Sequence, residues 1–427
     1  MEIDGLAASF RELWRAFFAR LIWACLESNL GRLQLFGSFQ LVRVQDLSTI
    51  SAAASKVSGE LWAEKAPIAT VVAPETGSGA QITRKAAVSH AFHHVEKAEV
   101  VFPSRFAGVL SGGFLLTPRC AGPGPWRVFR GYATPPQGGV MAQREDTVLF
   151  RRTALETLDR GIYVGSWAPH NWYMWLSSWL PSILLSSELP SRFDDYPLLL
   201  PSSAAERTNW QESLNLVRRG REIVYLPDSS WARVRSLVVV EPPLDRGPFS
   251  LRADFRQEWR GISPSFYRHF VKEITSLTAQ SITGTGPKHI FIVRKAGLKR
   301  PYNQEELIEV AERYGLELVD FADMSFAKIV AVMQDAKLVV GAHGAGWTNL
   351  LFARAGARGI MWAQPDAKSN NNFTNLAAVA EVDLRIHWMS PTIAGSTQSS
   401  KRRTPHSYRF EPDVFDAELK SFFRSSA

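Results

Sequence analysis

The sequence predicts an α/β protein: two α/β domains joined by a short linker, with a cleft between them, preceded by an N-terminal helical segment. Three observations predict it. A chain of 427 residues exceeds one ordinary core and suits two domains. From residue 289 onward, short apolar runs alternate with segments of helix length, the pattern of a parallel sheet covered by helices. Between two such regions, Val238 to Pro248 holds Pro242, Pro243, Gly247 and Pro248 after an apolar strand and reads as a linker. Apolar residues at 45% and charged residues at 21% fit a globular chain and exclude a disordered or fibrous one.

Taken in order, residues 9–26 read as an amphipathic helix. Ser9 and Glu12 suit a capping box, and Phe10, Leu13, Trp14, Phe17, Leu21 and Cys25 share one stripe, with Arg11, Arg15 and Arg20 off it. Such a helix packs on its own protein or a partner subunit, or lies on an anionic membrane. Val100 to Leu116, broken by Pro103 and Gly112-Gly113, predicts short strands and a turn. A helix follows near Asn171–Leu185, then a strand at Tyr196–Leu200, a helix at Ala204–Arg219 and a strand at Glu222–Leu226. Beyond the linker come strands at His289–Val293, Leu316–Asp320, Leu338–Gly341 and Arg358–Trp362. Helices at Asn303–Tyr314, Ser325–Asp335 and Thr348–Ala353 alternate with them. Residues 391–404, ending Lys401-Arg402-Arg403, read as an exposed loop before a final helix near Pro412–Phe423. The expected domains are a helical extension over 1–94, a first domain over 95–241, a second over 249–390, and the basic loop with its closing helix over 391–427.

The net charge of +8 points to anionic partners. Nucleic acid is not among them, since zinc-finger spacing, aromatic-basic signatures and a long basic helix are all missing. No apolar run reaches the ~18–20 residues that span a bilayer, and Glu12, Arg15 and Arg20 interrupt what a signal peptide needs to be apolar. Cys25 and Cys120 make no disulfide framework and read as reduced thiols. The reading is cytoplasmic, with peripheral contact at the inner membrane face left open through residues 9–26.

The stretch Val339 to Asn349 carries the most chemistry. A buried strand runs into Gly341, Gly344 and Gly346 and then into a helix. Glycines allow close backbone approach, and a helix start offers free N–H groups and a positive dipole end, an arrangement suited to a pyrophosphate. The spacing is not that of the dinucleotide fingerprint, because His343 stands at its third position and Arg358–Trp362 ends without an acid for ribose. An NAD-linked oxidoreductase is thereby disfavoured. Arg294 ends the strand His289–Val293, and Arg300 and Asn303 precede the next helix. Both guanidinium groups are therefore candidates to fork onto one diphosphate.

Ile290–Arg294, Arg300-Pro-Tyr-Asn303, the Gly315 turn, Ser325-Phe326, Ala336 and Val339–Phe352 fall in an order and spacing that resembles glycosyltransferase family 61. Its hallmark His-Gly-Ala-Gly loop and Thr-Asn-Leu-Leu-Phe-Ala stand here as residues 343–353, with Trp347 in the usual aliphatic position. The resemblance covers most of residues 95–390. It implies a GT-B fold of two Rossmann-like domains facing a cleft, an acceptor domain followed by a nucleotide-sugar donor domain, and inverting sugar transfer without a bound metal or cofactor. The expected role is synthesis of capsular or other cell-surface polysaccharide on a glycan or lipid-linked glycan acceptor. Asp194-Asp195 and Asp320 with Asp323 lack the spacing of a metal-bridging pair, in keeping with that implication. Donor binding falls to Arg294, Arg300, Asn303, His343, Gly344, Ala345 and Gly346, with Thr348 and Asn349 capping the helix behind. Asn171, Trp172 and Trp175 belong to the acceptor side, with Trp172, Trp175 and Trp179 read either as core or as a sugar platform.

Two residues depart from the family's pattern. Met174 stands where a histidine belongs, so a base must come from elsewhere, with His170 and Asp194 as candidates. Met361 replaces a strand-ending glutamate suited to a ribose hydroxyl. Either the donor preference differs, or the chain is a non-catalytic nucleotide-sugar- or glycan-binding subunit. His90, His93 and His94 read as a surface cluster rather than a metal site, because no cysteine or carboxylate completes a set.

Overall fold

The computed structural model describes residues 20–21, 39–46, 55–72, 80–84, 87–101, 108–111, 114–117, 124–128, 140–145, 147–151, 155–164, 170–227, 231–245, 261–281, 285–294, 302–364, 371–391 and 408–426. The chain divides into two compact units, Met1–Ala63 with Ser89–Phe255, and Glu64–Val88 with Arg256–Ala427.

In the first unit, twelve described strands share one sheet. Four of them, Ile223–Leu226, Leu198–Pro201, Leu155–Tyr163 and Trp231–Val240, are parallel neighbours. Apolar runs such as Val238–Val240 are buried, as parallel strands covered by helices require. Trp231–Val240 then pairs antiparallel with Val88–Val101, which continues through Gly108–Ser111 and Phe114–Thr117. Phe39–Asp46, Thr147–Arg151, Val140–Glu145 and Gly124–Val128 complete the row. Only the parallel part has Rossmann-like alternation.

The helical extension expected over 1–94 is corrected by these strands. Described residues there form strands at Phe39–Asp46, Ser55–Glu64, Ile68–Val72, Ala80–Arg84 and from Val88. Ser55–Glu64 contains Glu60, Leu61, Ala63 and Glu64, all good helix formers, and pairing with Val88–Val101 overrides that propensity. The helix expected over 9–26 lies outside the described residues except for Arg20 and Leu21, which are helical. Cys25, Cys120 and Lys401-Arg402-Arg403 also lie outside them.

The helical stretch Trp172–Leu185 is not one α-helix. Trp175–Trp179 forms a π turn between Trp172–Met174 and Leu180–Leu185. Pro181 supplies the reason: it has no N–H for the carbonyl of Ser177, and its ring crowds that carbonyl, so the wider turn ahead of it relieves the conflict. Ser177 Oγ donates back to Tyr173 O (2.5 Å).

The second unit is built on five parallel strands, numbered here within the unit. They are β1 (His289–Ile292), β2 (Glu317–Val319), β3 (Leu338–Ala342), β4 (Arg358–Ala363) and β5 (Asp383–Trp388), in the spatial order β2-β1-β3-β4-β5. The helices are α1 (Pro264–Thr278), α2 (Gln304–Arg313), α3 (Phe326–Asp335), α4 (Asn372–Ala380) and α5 (Pro412–Ser426). On one face Leu307, Val310 and Ala311 of α2 join Phe415, Leu419 and Phe422 of α5 in the cluster with Phe291, Val340, Ile360 and Trp362. The closing helix is thus part of this unit's core. On the other face α1, α3 and α4 pack around the segment Ala345–Phe352.

An antiparallel hairpin, Ile68–Val72 with Ala80–Arg84, belongs to the same unit. Ile68 pairs with Ile262, and α4 packs on the first strand. Glu64 fastens the hairpin. Its carboxylate, 5% exposed, accepts from Ser263 Oγ (2.8 Å), Ser265 N–H (2.9 Å) and Ser265 Oγ (2.6 Å). Ser263, the residue ahead of α1, makes no side-chain cap of its own, so Glu64 satisfies the first turn of that helix from elsewhere in the chain. Burial raises the Glu64 pKa, but the hydrogen bonds from Ser265, Ala66 and Ser263 outweigh burial and hold it below its ordinary value. No helix among the described residues is long and apolar enough to cross a membrane.

Candidate functional site

The strand order β2-β1-β3-β4-β5 reverses direction between β1 and β3, and ligands of open parallel sheets bind outside the carboxyl ends at such a switch point. Two chain segments leave the sheet there. Arg294 follows β1 by two residues. His343-Gly344-Ala345-Gly346 follows β3 directly. The structure brings them together: Arg294 Nη2 donates to the backbone carbonyl of His343. A Cβ built on Gly344 would lie 2.8 Å from that same nitrogen. The loop therefore needs glycine at 344 so that the guanidinium can rest against its backbone, and the backbone itself is extended (φ −173°, ψ 174°). At Gly346 the nearest atoms to a Cβ are 3.5 Å away, on Ile292 and Phe321, which is ordinary contact.

His343 stays tied to the sheet through its N–H, which donates to Trp362 O (2.7 Å), while its ring meets Phe373 edge-on at 5.0 Å. Trp347 is buried and its indole N–H donates to Ala342 O (3.0 Å), closing the turn from inside. The following segment differs from the short helix expected at Thr348–Ala353. It is a 3₁₀ helix over Ala345–Phe352 with Gly344 at its N-cap. Thr348 and Asn349 do not cap it. Both are fully buried, and Thr348 Oγ1 donates back to Ala345 O (2.7 Å), because a helix starting three residues early places position 348 inside it.

Asn303 precedes α2, and its amide faces another segment. Nδ2 donates to Phe410 O and Oδ1 accepts from Phe410 N–H, each at 3.0 Å. Arg300 lies outside the described residues. Met361 is buried on β4, paired across to Gly341 and Ile386. Sequence reasoning passed over Gln364, Asn371 and Asn375, which are buried polar residues after β4 and at the start of α4. The run Asn370-Asn371-Asn372 before an apolar helix was the available signal. Among the described residues, no cluster of three or more His, Cys, Asp or Glu is placed to hold a metal ion.

In the first unit, Asn171 is the N-cap of Trp172–Met174 and accepts from Tyr173 N–H (2.9 Å). His170 sits just before it in an exposed turn. Trp172 is half-buried. Trp175 is fully buried, stacked on Trp210 at 4.8 Å and donating to Ser213 Oγ (2.9 Å). Trp175 is therefore a core residue, and so is Trp179. Met174, at 2% exposure, is also core. Asp194 lies in an exposed turn that Arg221 holds through the carbonyls of Phe193 (2.6 Å), Asp194 (3.0 Å) and Tyr196 (3.1 Å). The three histidines are not a surface cluster. His90 and His93 are buried, and strand alternation puts His93 on the face opposite His90 and His94. His93 Nε2 meets Glu241 Oε1 at 3.1 Å, and His94 Nε2 meets Ser236 Oγ at 2.7 Å.

A mixed α/β protein whose parallel switch point carries a glycine loop and a guanidinium is the class that these elements define. Comparison supplies the rest: residues 172–360 match the family model described as Glycosyltransferase 61. Over that stretch the chain is similar to glycosyltransferase family 61, and the match supports a glycosyltransferase. No curated protein matches the chain.

Proposed function

We propose that the second unit binds the diphosphate of a nucleotide sugar at the carboxyl ends of β1 and β3. On this reading the sugar passes with inversion, and without a metal, to a glycan or lipid-linked glycan in capsular or other surface polysaccharide synthesis. The observation that carries the reading is the guanidinium of Arg294 lying against Gly344 at the switch point. A departing nucleoside diphosphate gains negative charge as the bond to the anomeric carbon breaks. Arg294, Arg300 and the backbone N–H groups of Gly344, Ala345 and Gly346 are the groups proposed to meet it, in the manner of a preorganised anion site. Asn303 holds the α2 end of that region through Phe410.

The acceptor hydroxyl attacks from the face opposite the leaving group, and its proton goes to a base. With Met174 buried and unable to move a proton, His170 and Asp194 are the proposed bases, with Asn171 and Trp172 on the acceptor side. Replacing the true base, as in His170→Ala or Asp194→Asn, is expected to lower kcat by roughly 10²–10⁴-fold.

The test is isothermal titration with UDP-, GDP- and CDP-sugars in EDTA. Arg294→Ala and Gly344→Val should each abolish binding, and normal affinity in both would remove the site. The buried Met174 favours a second reading, a nucleotide-sugar-binding subunit without turnover. It predicts tight donor binding with neither transfer nor donor hydrolysis. Peripheral membrane contact through residues 9–26 is proposed alongside, and unchanged liposome co-sedimentation after deletion of residues 1–40 would exclude it.

A further inference from the structure

β1 ends at Ile292, and Val293 N–H still finds a partner on β2, Val319 O at 3.0 Å. One residue further on, both backbone polar groups of Arg294 are taken by one side chain. Arg294 N–H donates to Gln304 Oε1 (2.8 Å), and Gln304 Nε2 donates to Arg294 O (3.0 Å). The amide of Gln304, in the first turn of α2, thus stands in for a neighbouring strand and fixes the point from which the arginine side chain departs. Tyr302 OH donates to the same Oε1 (2.8 Å), and its ring lies 6.0 Å from the guanidinium carbon. Only one orientation of the amide serves all three bonds, since the Arg294 N–H needs an acceptor and the Arg294 carbonyl a donor. Burial pushes the Tyr302 hydroxyl well above its ordinary pKa, so it remains a donor.

We propose that Gln304, held in orientation by Tyr302, is the positioning residue that aims Arg294 at the His343–Gly346 loop and so sets the enzyme's affinity for nucleoside diphosphate. The inference rests on the donor-site reading above. An arginine side chain has four rotatable bonds, and a small backbone rotation at its root moves the guanidinium by more than the tolerance of an anion site. Gln304 removes that rotation without itself touching the ligand.

The test is titration of the full chain with UDP, GDP and CDP, comparing wild type, Arg294→Ala, Gln304→Met, Gln304→Glu and Tyr302→Phe, with thermal melts for each. Gln304→Met keeps the shape and loses both bonds, and is expected to weaken binding tenfold or more. Tyr302→Phe loses one bond and should weaken it two- to fivefold. Gln304→Glu keeps the acceptor but turns a second oxygen on the Arg294 carbonyl. Its affinity, relative to wild type at the same pH, should be low at pH 8 and recover as the pH falls through the ordinary carboxyl range toward about 4, where protonation restores a donor. A residue that merely held α2 together would lower the melting temperature without that pH profile. Should Arg294→Ala abolish binding while Gln304→Met binds like wild type, or Gln304→Glu stay flat with pH, the positioning role is overturned and the donor site stands. Should wild type bind none of the three, or Arg294→Ala bind normally, the donor-site reading falls and this inference with it.

Discussion

Gly344 and Gly346 share one loop, yet a side chain would meet different surroundings at each. At Gly344 the first obstacle is the far end of Arg294, a flexible group that can swing away at little cost to the fold. Gly344→Ala is therefore expected to change stability by less than ~0.5 kcal/mol. Displacing the guanidinium should nevertheless weaken nucleoside diphosphate binding about tenfold, or roughly 1.4 kcal/mol. Gly346→Ala, with ordinary contacts, should leave both nearly unchanged. Melting curves and titrations of the two variants side by side check this contrast. Arg294 and Gly344 stood out in the sequence as a charged residue at a strand end and a glycine at a strand–helix turn. Such features are common in proteins of every kind, and what the structure adds is that the two meet. Gln304 did not stand out, since a glutamine at a helix start reads as an ordinary helix former, and only the fold reveals that it spans ten residues back to Arg294.

At the level of single elements, α1 starts under a carboxylate that comes from the hairpin. The Glu64 hydrogen bonds are made to its charged form and hold its folded pKa below the ordinary 4.5. The stabilisation is present above that ordinary value and is lost as pH falls through the lowered folded value. Glu64→Gln is expected to cost about 1–3 kcal/mol at pH 7. It should also shrink the loss of stability between about pH 5 and 3, as urea melts across that range would show. The π turn makes a second case. The sequence reads Asn171–Leu185 as a helix correctly, but the consequence of Pro181, a widened turn that buries Trp175 and Trp179, depends on packing that no local pattern encodes. Trp175→Ala, which removes the stack on Trp210, is expected to destabilise by about 3–5 kcal/mol. That loss would appear as a lowered melting temperature rather than as a selective change in acceptor KM.

For the molecule as a whole, the parallel elements were readable because strands buried on both faces are uninterrupted apolar runs, as at Leu338–Val340, separated by helices with one apolar stripe. Apart from Val100 to Leu116, read as short strands and a turn and found in the strands ending at Val101 and spanning Gly108–Ser111 and Phe114–Thr117, the strands over 39–151 were not readable in this way. Ser55–Glu64 mixes good helix formers with Val57, Gly59 and Trp62 and shows no clear strand alternation, and its conformation is set by a distant partner, Val88–Val101. Nor does the sequence signal that residues 64–88 belong with 256–427. A fragment of residues 256–427 would lack the Glu64 cap and the strand that covers α4. It is expected to melt well below the same unit in the full chain, and adding residues 64–88 back through a flexible linker should recover most of the difference. Differential scanning calorimetry of the three proteins is the direct check.

The carboxylate that caps α1 precedes Ser263 by 199 residues. At ordinary translation speeds of about 5–20 residues per second, Glu64 leaves the ribosome about 10–40 s before its serine partners are synthesised. For all that time the hairpin is a pair of strands without its helix. An isolated two-stranded hairpin is at best marginally stable in water, so this hairpin is expected to settle only after α1 has been made, which ties its folding to the second half of synthesis.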